Sequence, residues 1–189
     1  FTDHYLHFTE ANPNIDLIFR QGSFRELRSW LTSQEIDIAL TLAFDIRDMP
    51  EILYEQADND YPVLAVSRRS PLGKKEQITL RDLIGETMIS ISPEDSRAGY
   101  ELCSHFIQKT GINISKVRYA PNLATEMMWI ESAQGVGIIN HRSNLVANSA
   151  IRLIEEIRVD GGGIASNVYA WNRNNLNPAI SSFINSLTN

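Results

Sequence analysis

The sequence predicts an α/β fold with largely parallel sheets, arranged as two similar lobes. Three observations carry that expectation. Helix-like and strand-like segments alternate along all 189 residues. After Glu35, the stretch "EIDIALTL" at 35–42 is apolar apart from Asp37 near its start and Thr41 near its far end, as in a short strand buried on both faces and entered and left through polar residues. A polar stretch, "SRRSPLGKKEQ" at 67–77, then separates one round of alternation from a second.

The elements follow in order. Residues 2–11 form a helix that "NPN" stops, and 15–19 are strand-like. Ser23 caps the next helix, whose face is Phe24, Leu27 and Leu31. Residues 36–42 are the buried strand, and further strands fall near 52–55 and 63–67. Beyond the polar crossing, Thr79 caps a turn of helix with Asp82 three residues on and Gly85 as its stop. Residues 88–92 are a strand. A helix then starts at Asp95 or Ser96, ends at Gly111 and carries an apolar stripe of Tyr100, Cys103, Phe106 and Ile107. Strand 116–119, helix 122–134 and strand 136–139 complete the second round. A short helix is expected at 144–148, 151–157 fits neither class, and "DGGG" at 160–163 is a turn. Strand 167–171 leads to a last helix with Asn177 as cap, Pro178 in its first turn, and Ile180, Phe183, Ile184 and Leu187 on one face.

Composition narrows the function classes. A chain that is 43% hydrophobic and 21% charged can bury a globular core. Its net charge of −6 and pI near 5.2 disfavour binding to nucleic acid by this segment alone. The single cysteine, Cys103, permits no internal disulfide framework and suits a reducing compartment. No apolar run reaches membrane length, no secretory signal opens the chain, and "FTDHYLHF" reads as the middle of a helix, as in a fragment.

Binding chemistry is expected where strand ends and helix starts converge. In open α/β sheets that is the carboxyl edge, where helix N-termini offer free N–H groups to anions. The residues there are small and polar: Ser23, Thr41, Ser90, Ser92, Ser96, Asn122, Thr125, Asn140 and His141, with Arg97 able to neutralise a carboxylate. Capping alone accounts for Ser23, Ser96 and Asn122, an ordinary half-exposed strand for Ser90 and Ser92, and a solvated surface for Arg97. Catalysis is poorly supported. His4 and His7 lack a third metal ligand, Cys103 sits on an apolar stripe, and His141 has no nucleophile spaced to it. "DGGG" lacks the lysine of a phosphate loop, and "MMWI" at 127–130 reads as core. No metal and no cofactor is expected.

The order of landmarks resembles the effector-binding domain of LysR-type transcriptional regulators. "HFTEANPNIDLIFRQGSFRELRSWLTSQEIDIALTL" is similar to that domain's opening, "SPLGKKEQITLRDLIGETMIS" to its crossing and following element, and "WIESAQGVGIIN" to its return strand. The likeness covers essentially the whole chain. In two places the sequence departs from the pattern: Asn140-His141 stands where a proline is usual, and the family's first strand is absent. The resemblance implies a periplasmic-binding-protein type II fold, two Rossmann-like lobes joined by two crossings. Lobe I would hold 1–66 and 142–189, and lobe II 67–141. It also implies a small, anionic effector between the lobes and a cytoplasmic, non-enzymatic protein without membrane contact. The implied assembly is an antiparallel homodimer, with a tetramer as the further assembly open to the full-length protein. DNA would be bound only through an N-terminal winged helix-turn-helix that this chain lacks. The missing strand would belong between 15–19 and 36–42. A transporter's solute-binding protein shares the fold and is the rival expectation.

Overall fold

The computed structural model describes residues 2–142, 150–160 and 166–187. The strands form two sheets. The smaller has the order β1 (Ala39–Leu42), β8 (Asn167–Asn172), β2 (Ile52–Gln56), and both of its pairings are antiparallel. The larger has the order β5 (Lys116–Ala120), β4 (Thr87–Ile91), β6 (Val136–Asn140), β3 (Pro62–Ser67), β7 (Ile151–Arg158).

Only β4 with β5 and β4 with β6 run parallel among the described pairings, so the expectation of largely parallel sheets is corrected. The physical reason lies in the connections. Helices α4 (Arg97–Thr110) and α5 (Leu123–Glu131) each carry the chain back over the same sheet, which makes the neighbouring strands parallel. Strands β3, β7 and β8 pair antiparallel with their neighbours.

The lobe division also shifts. Strands β3 and β7 both pair inside the larger sheet, whereas the expected division placed 142–189 wholly in the other lobe. The chain therefore changes sheet between β2 and β3 and again between β7 and β8, and "SRRSPLGKKEQ" is a loop on the larger lobe. That loop is tied down by Ser67, whose hydroxyl donates to the Glu131 carbonyl, and by the Ser70 hydroxyl, which accepts from Gly73 N–H. Proline, glycine and charge mark a surface loop there without marking a change of sheet.

Residues 15–19, expected as a strand, form none and pair with no strand among the described residues. Ile15 and Leu17 pack inward, while Ile18 is 87% and Phe19 69% exposed. Strand β1 is shorter than expected and alternates between buried and half-buried residues. It is β3 that is buried along its whole length. The 144–148 helix and the glycines of "DGGG" lie outside the described residues.

Caps fall where the side-chain chemistry places them. Ser23 and Glu26 close a full capping box on α2 (Phe24–Ser33), Asn122 accepts from Thr125 N–H at 2.9 Å, and Asn177 with Pro178 opens α6 (Pro178–Ser186). Gly111 ends α4 at φ 63°, a left-handed conformation that glycine adopts without strain. The larger sheet is packed on both faces. Leu64, Val66, Met88 and Val136 meet Phe106 of α4, and Val63, Ala65, Ile89 and Ile139 meet Met127 and Ile130 of α5. The smaller sheet packs Ala39, Val168 and Ala170 on Leu31 of α2. On its other face Tyr169 lies against Phe183 of α6 and Phe8 of α1 (Thr2–Ala11). Among the described residues no helix is long and apolar enough to cross a membrane.

Candidate functional site

A cleft of about 410 Å³ separates the two sheets. The smaller lobe lines it with the loop before α2, the end of β1 and Phe44 of α3 (Ala43–Ile46). The larger lobe lines it with the ends of β4 and β6 and the facing sides of α4 and α5. This is the carboxyl edge that strand polarity predicts for ligands.

Four of the expected site residues reach the cleft: Ser23, Thr41, Ser90 and Asn140. Thr41 ends the buried face of β1. It is 5% exposed, and its hydroxyl has no partner among the described residues. A buried hydroxyl left open costs about 1–3 kcal/mol. Ser90 is buried and donates to the Ile91 carbonyl at 3.2 Å.

The other expected residues do different work. Ser92 accepts from Asp95 N–H at 3.3 Å and so turns the chain into α4. Ser96 caps α4 by accepting from Gly99 N–H at 3.1 Å, and its hydroxyl donates to Asp45 of the opposite lobe at 2.8 Å. Arg97 points outward, with its side chain 73% exposed and paired with Glu101, and does not line the cleft. As the first helical residue it projects away from the strand ends, which corrects its expected place. Asn122 and Thr125 form the α5 cap and lie off the cleft lining. His141 stacks on Tyr61 at 4.6 Å, and its Nε2 meets Glu155 at 3.2 Å, also outside the lining. The backbone explains this: β6 ends at Asn140, and the next residue turns toward the crossing at Tyr61, where His141 N–H donates to the Tyr61 carbonyl.

The sequence reading missed Glu126, Cys103, Arg142 and Asn167, all of which line the cleft. Burial pushes the Glu126 carboxyl well above the usual carboxylate range. Burial likewise raises the Cys103 thiol to about 11, against a hydrogen bond from Ser90 that lowers it. The thiol is thus held protonated and is a weak nucleophile. A signal for Glu126 was present: an acid at the i+3 position from Leu123, beside Met127 and ahead of Ile130, on an otherwise apolar helix face.

Two polar clusters join the lobes beside the cleft. In the first, Arg28 of α2 donates to Asp45 at 2.6 Å and to the Asp95 carbonyl of the larger lobe at 2.8 Å. The Asp95 carboxylate accepts from Arg25 N–H at 3.0 Å, and Ser96 holds the second oxygen of Asp45. Burial raises the Asp45 carboxyl, against the opposing pull of the Ser96 hydroxyl and the Arg28 guanidinium. The second cluster lies at the crossings. Asn167 Nδ2 donates to both oxygens of Asp58 at 3.0 Å and to Asp60 at 3.4 Å, while Asp60 accepts from the N–H groups of Tyr61 and Arg142. Asn167 therefore stitches one crossing to the other.

Two α/β lobes joined by two crossings, facing each other across a cleft of strand ends, define a domain of the periplasmic-binding-protein type II fold. The chain belongs to the LysR family: residues 5–189 match the model described as the LysR substrate binding domain. It is 26% identical over 139 residues to the "Uncharacterized HTH-type transcriptional regulator YvbU" of Bacillus subtilis (strain 168), a match over 72% of this chain and 44% of that protein. The chain thus spans less than half the length of this relative. Among solved structures, it resembles the effector binding domain of QuiR in complex with shikimate. That likeness has a TM-score of 0.71 and 18% identity, over 98% of this chain and 87% of that one. It also resembles the CcmR regulatory domain of Synechocystis PCC6803 in complex with 2-PG, with a TM-score of 0.72 and 15% identity, over 98% and 88%.

Proposed function

We propose that this chain is the effector-sensing part of a LysR-type transcriptional regulator and that a small effector with an anionic group binds in the cleft between its lobes. The observation that carries the reading is the open hydroxyl of Thr41, buried at the end of β1 and facing the opposite lobe's strand ends across the cleft. Ser23 and Asn140, with Arg142 at the rim, supply further donors to an anion. The ligands named for the QuiR and CcmR domains are small molecules, which agrees with this use of the cleft. The site binds rather than catalyses, because its thiol is kept protonated and its nearest imidazole faces a crossing. The family match favours a regulator over a transporter's solute-binding protein.

In this reading lobe I comprises residues up to about 57 and from 166 onward, and lobe II the chain between the crossings. Effector closure bears on the Arg28–Asp45–Asp95 cluster and is passed to a helix-turn-helix outside this chain, which contacts the DNA of a cytoplasmic regulator. The domain works as an antiparallel homodimer without a metal or cofactor. Residues 15–19, with exposed Ile18 and Phe19, and the edge strand β5, with exposed Tyr119, offer two surfaces that a two-fold axis brings together.

The test is calorimetric titration of the protein and of Thr41→Val with an effector found by metabolite screening. Losing one hydrogen bond to a charged group weakens binding by about 1.5–3 kcal/mol. A screened effector that binds both proteins equally tightly would move the site elsewhere.

A further inference from the structure

Glu126 is the acid of the cleft wall, and its surroundings specify what should meet it. The side chain is 2% exposed, and Oε2 has no hydrogen-bond partner among the described residues. Its other oxygen lies against β6, where a Cβ on Gly137 would stand 3.2 Å from Oε1 and 2.5 Å from Ile130 Cδ1. The strand passes this close because residue 137 is glycine. The neighbouring wall is apolar, with Ile89, Ile91, Leu102 and Leu123. No described residue forms an ion pair with Glu126. Cys103 on α4 is the titratable neighbour, and its buried thiol stays neutral. An isolated carboxyl in such a wall is unfavourable as packing, and a leucine would serve the core better. The remaining polar lining is of the opposite kind. Gln21, Ser23, Thr41, Asn140 and Arg142 all carry groups that can donate to an anion.

We propose that Glu126 receives a primary ammonium group of the effector, so that the effector is a small amphoteric molecule with an apolar body. This rests on the cleft being the effector site and names the class of ligand it takes. The ammonium pairs with Glu126, the carboxyl releases its proton to solvent, and the anionic group of the same molecule lies toward Thr41 and Arg142. Apolar walls between the two poles hold the body of the ligand.

The test uses matched compounds: L-norleucine and L-phenylalanine, their deaminated acids hexanoate and 3-phenylpropionate, and their decarboxylated amines pentylamine and phenethylamine. Each is titrated calorimetrically into the protein, Glu126→Gln and Thr41→Val. Glutamine keeps the shape and the neutral charge of the unliganded carboxyl. If it does not fold, Glu126→Asp withdraws the carboxylate by one methylene and gives the same comparison. The expected result is that an amino acid binds, and that Glu126→Gln weakens it roughly tenfold to a hundredfold, the loss of one charge-assisted contact. Its deaminated partner should bind more weakly and be indifferent to Glu126→Gln. Deaminated acids that bind as well as the amino acids, indifferent to Glu126→Gln but weakened by Thr41→Val, would overturn the ammonium assignment and leave the cleft as the site. Amino acids that bind with no change in either variant would overturn both. Failure of every ammonium-bearing compound to bind would also overturn the assignment.

Discussion

Replacing Arg28 tests whether the lobes are held together by one buried charge cluster. Arg28→Met keeps the apolar stem and removes the guanidinium. The wild-type group is about one-quarter exposed and donates to Asp45 and to the Asp95 carbonyl, one partner in each lobe. Its loss leaves the Asp45 carboxylate, which is almost fully buried, with Ser96 as its remaining donor among the described contacts. Breaking a buried pair from one side costs about 3–5 kcal/mol. Two effects reduce that figure here: solvent reaches Arg28, and Asp45 can take up a proton because burial already raises it. The expected loss is about 2–4 kcal/mol in urea denaturation at pH 7. The cost should shrink as the pH falls and Asp45 takes up a proton, because burial raises its carboxyl. In a double-mutant cycle with Asp45→Asn, the coupling should be about 1.5–3 kcal/mol. A coupling below about 0.5 kcal/mol, the scatter for independent sites, would refute the reasoning that the two act as one contact.

Glu126 gives a pH signature. Its folded carboxyl is raised above the unfolded value of 4.5, so its ionisation opposes folding. That penalty is absent below pH 4.5 and grows by about 1.4 kcal/mol per pH unit until the folded group itself titrates. Glu126→Gln should match the wild type near pH 4 and exceed it at pH 8, as read by denaturant midpoints, whereas a constant difference across pH would contradict the assignment. Ile18→Glu should shift sedimentation toward monomer without lowering the melting temperature, since Ile18 is exposed in the single chain; an unchanged dimer would exclude the 15–19 segment from the interface. Phe106→Glu should unfold the larger lobe by circular dichroism, because Phe106 is buried in its core.

What the sequence discloses here is local chemistry. Ser23, Ser96, Asn122 and Asn177 are legible as caps because a cap is decided within four residues. The larger sheet is legible through β4, α4, β5, α5 and β6, where helices return the chain over one face. Strand partners are not legible, because β3 with β7 is a pairing between distant segments with no local marker. The same contrast governs the site. Thr41 is found from the position of a polar residue at a strand end, while Arg97 stands beside a cap yet points outward. Glu126 stands out as an acid on a helix face that otherwise reads as core, and the cleft between two lobes shows that one side of that core is open.

The central claim is that a small molecule binds between the lobes. It is tested most directly by amide chemical-shift mapping of the isotopically labelled protein against a metabolite panel. A true effector should perturb Ser23 and Thr41 on one side together with Ser90, Glu126 and Asn140 on the other, at a single saturating concentration range. Shifts confined to one lobe, or to the outer faces around Arg97 and Ile18, would contradict the account.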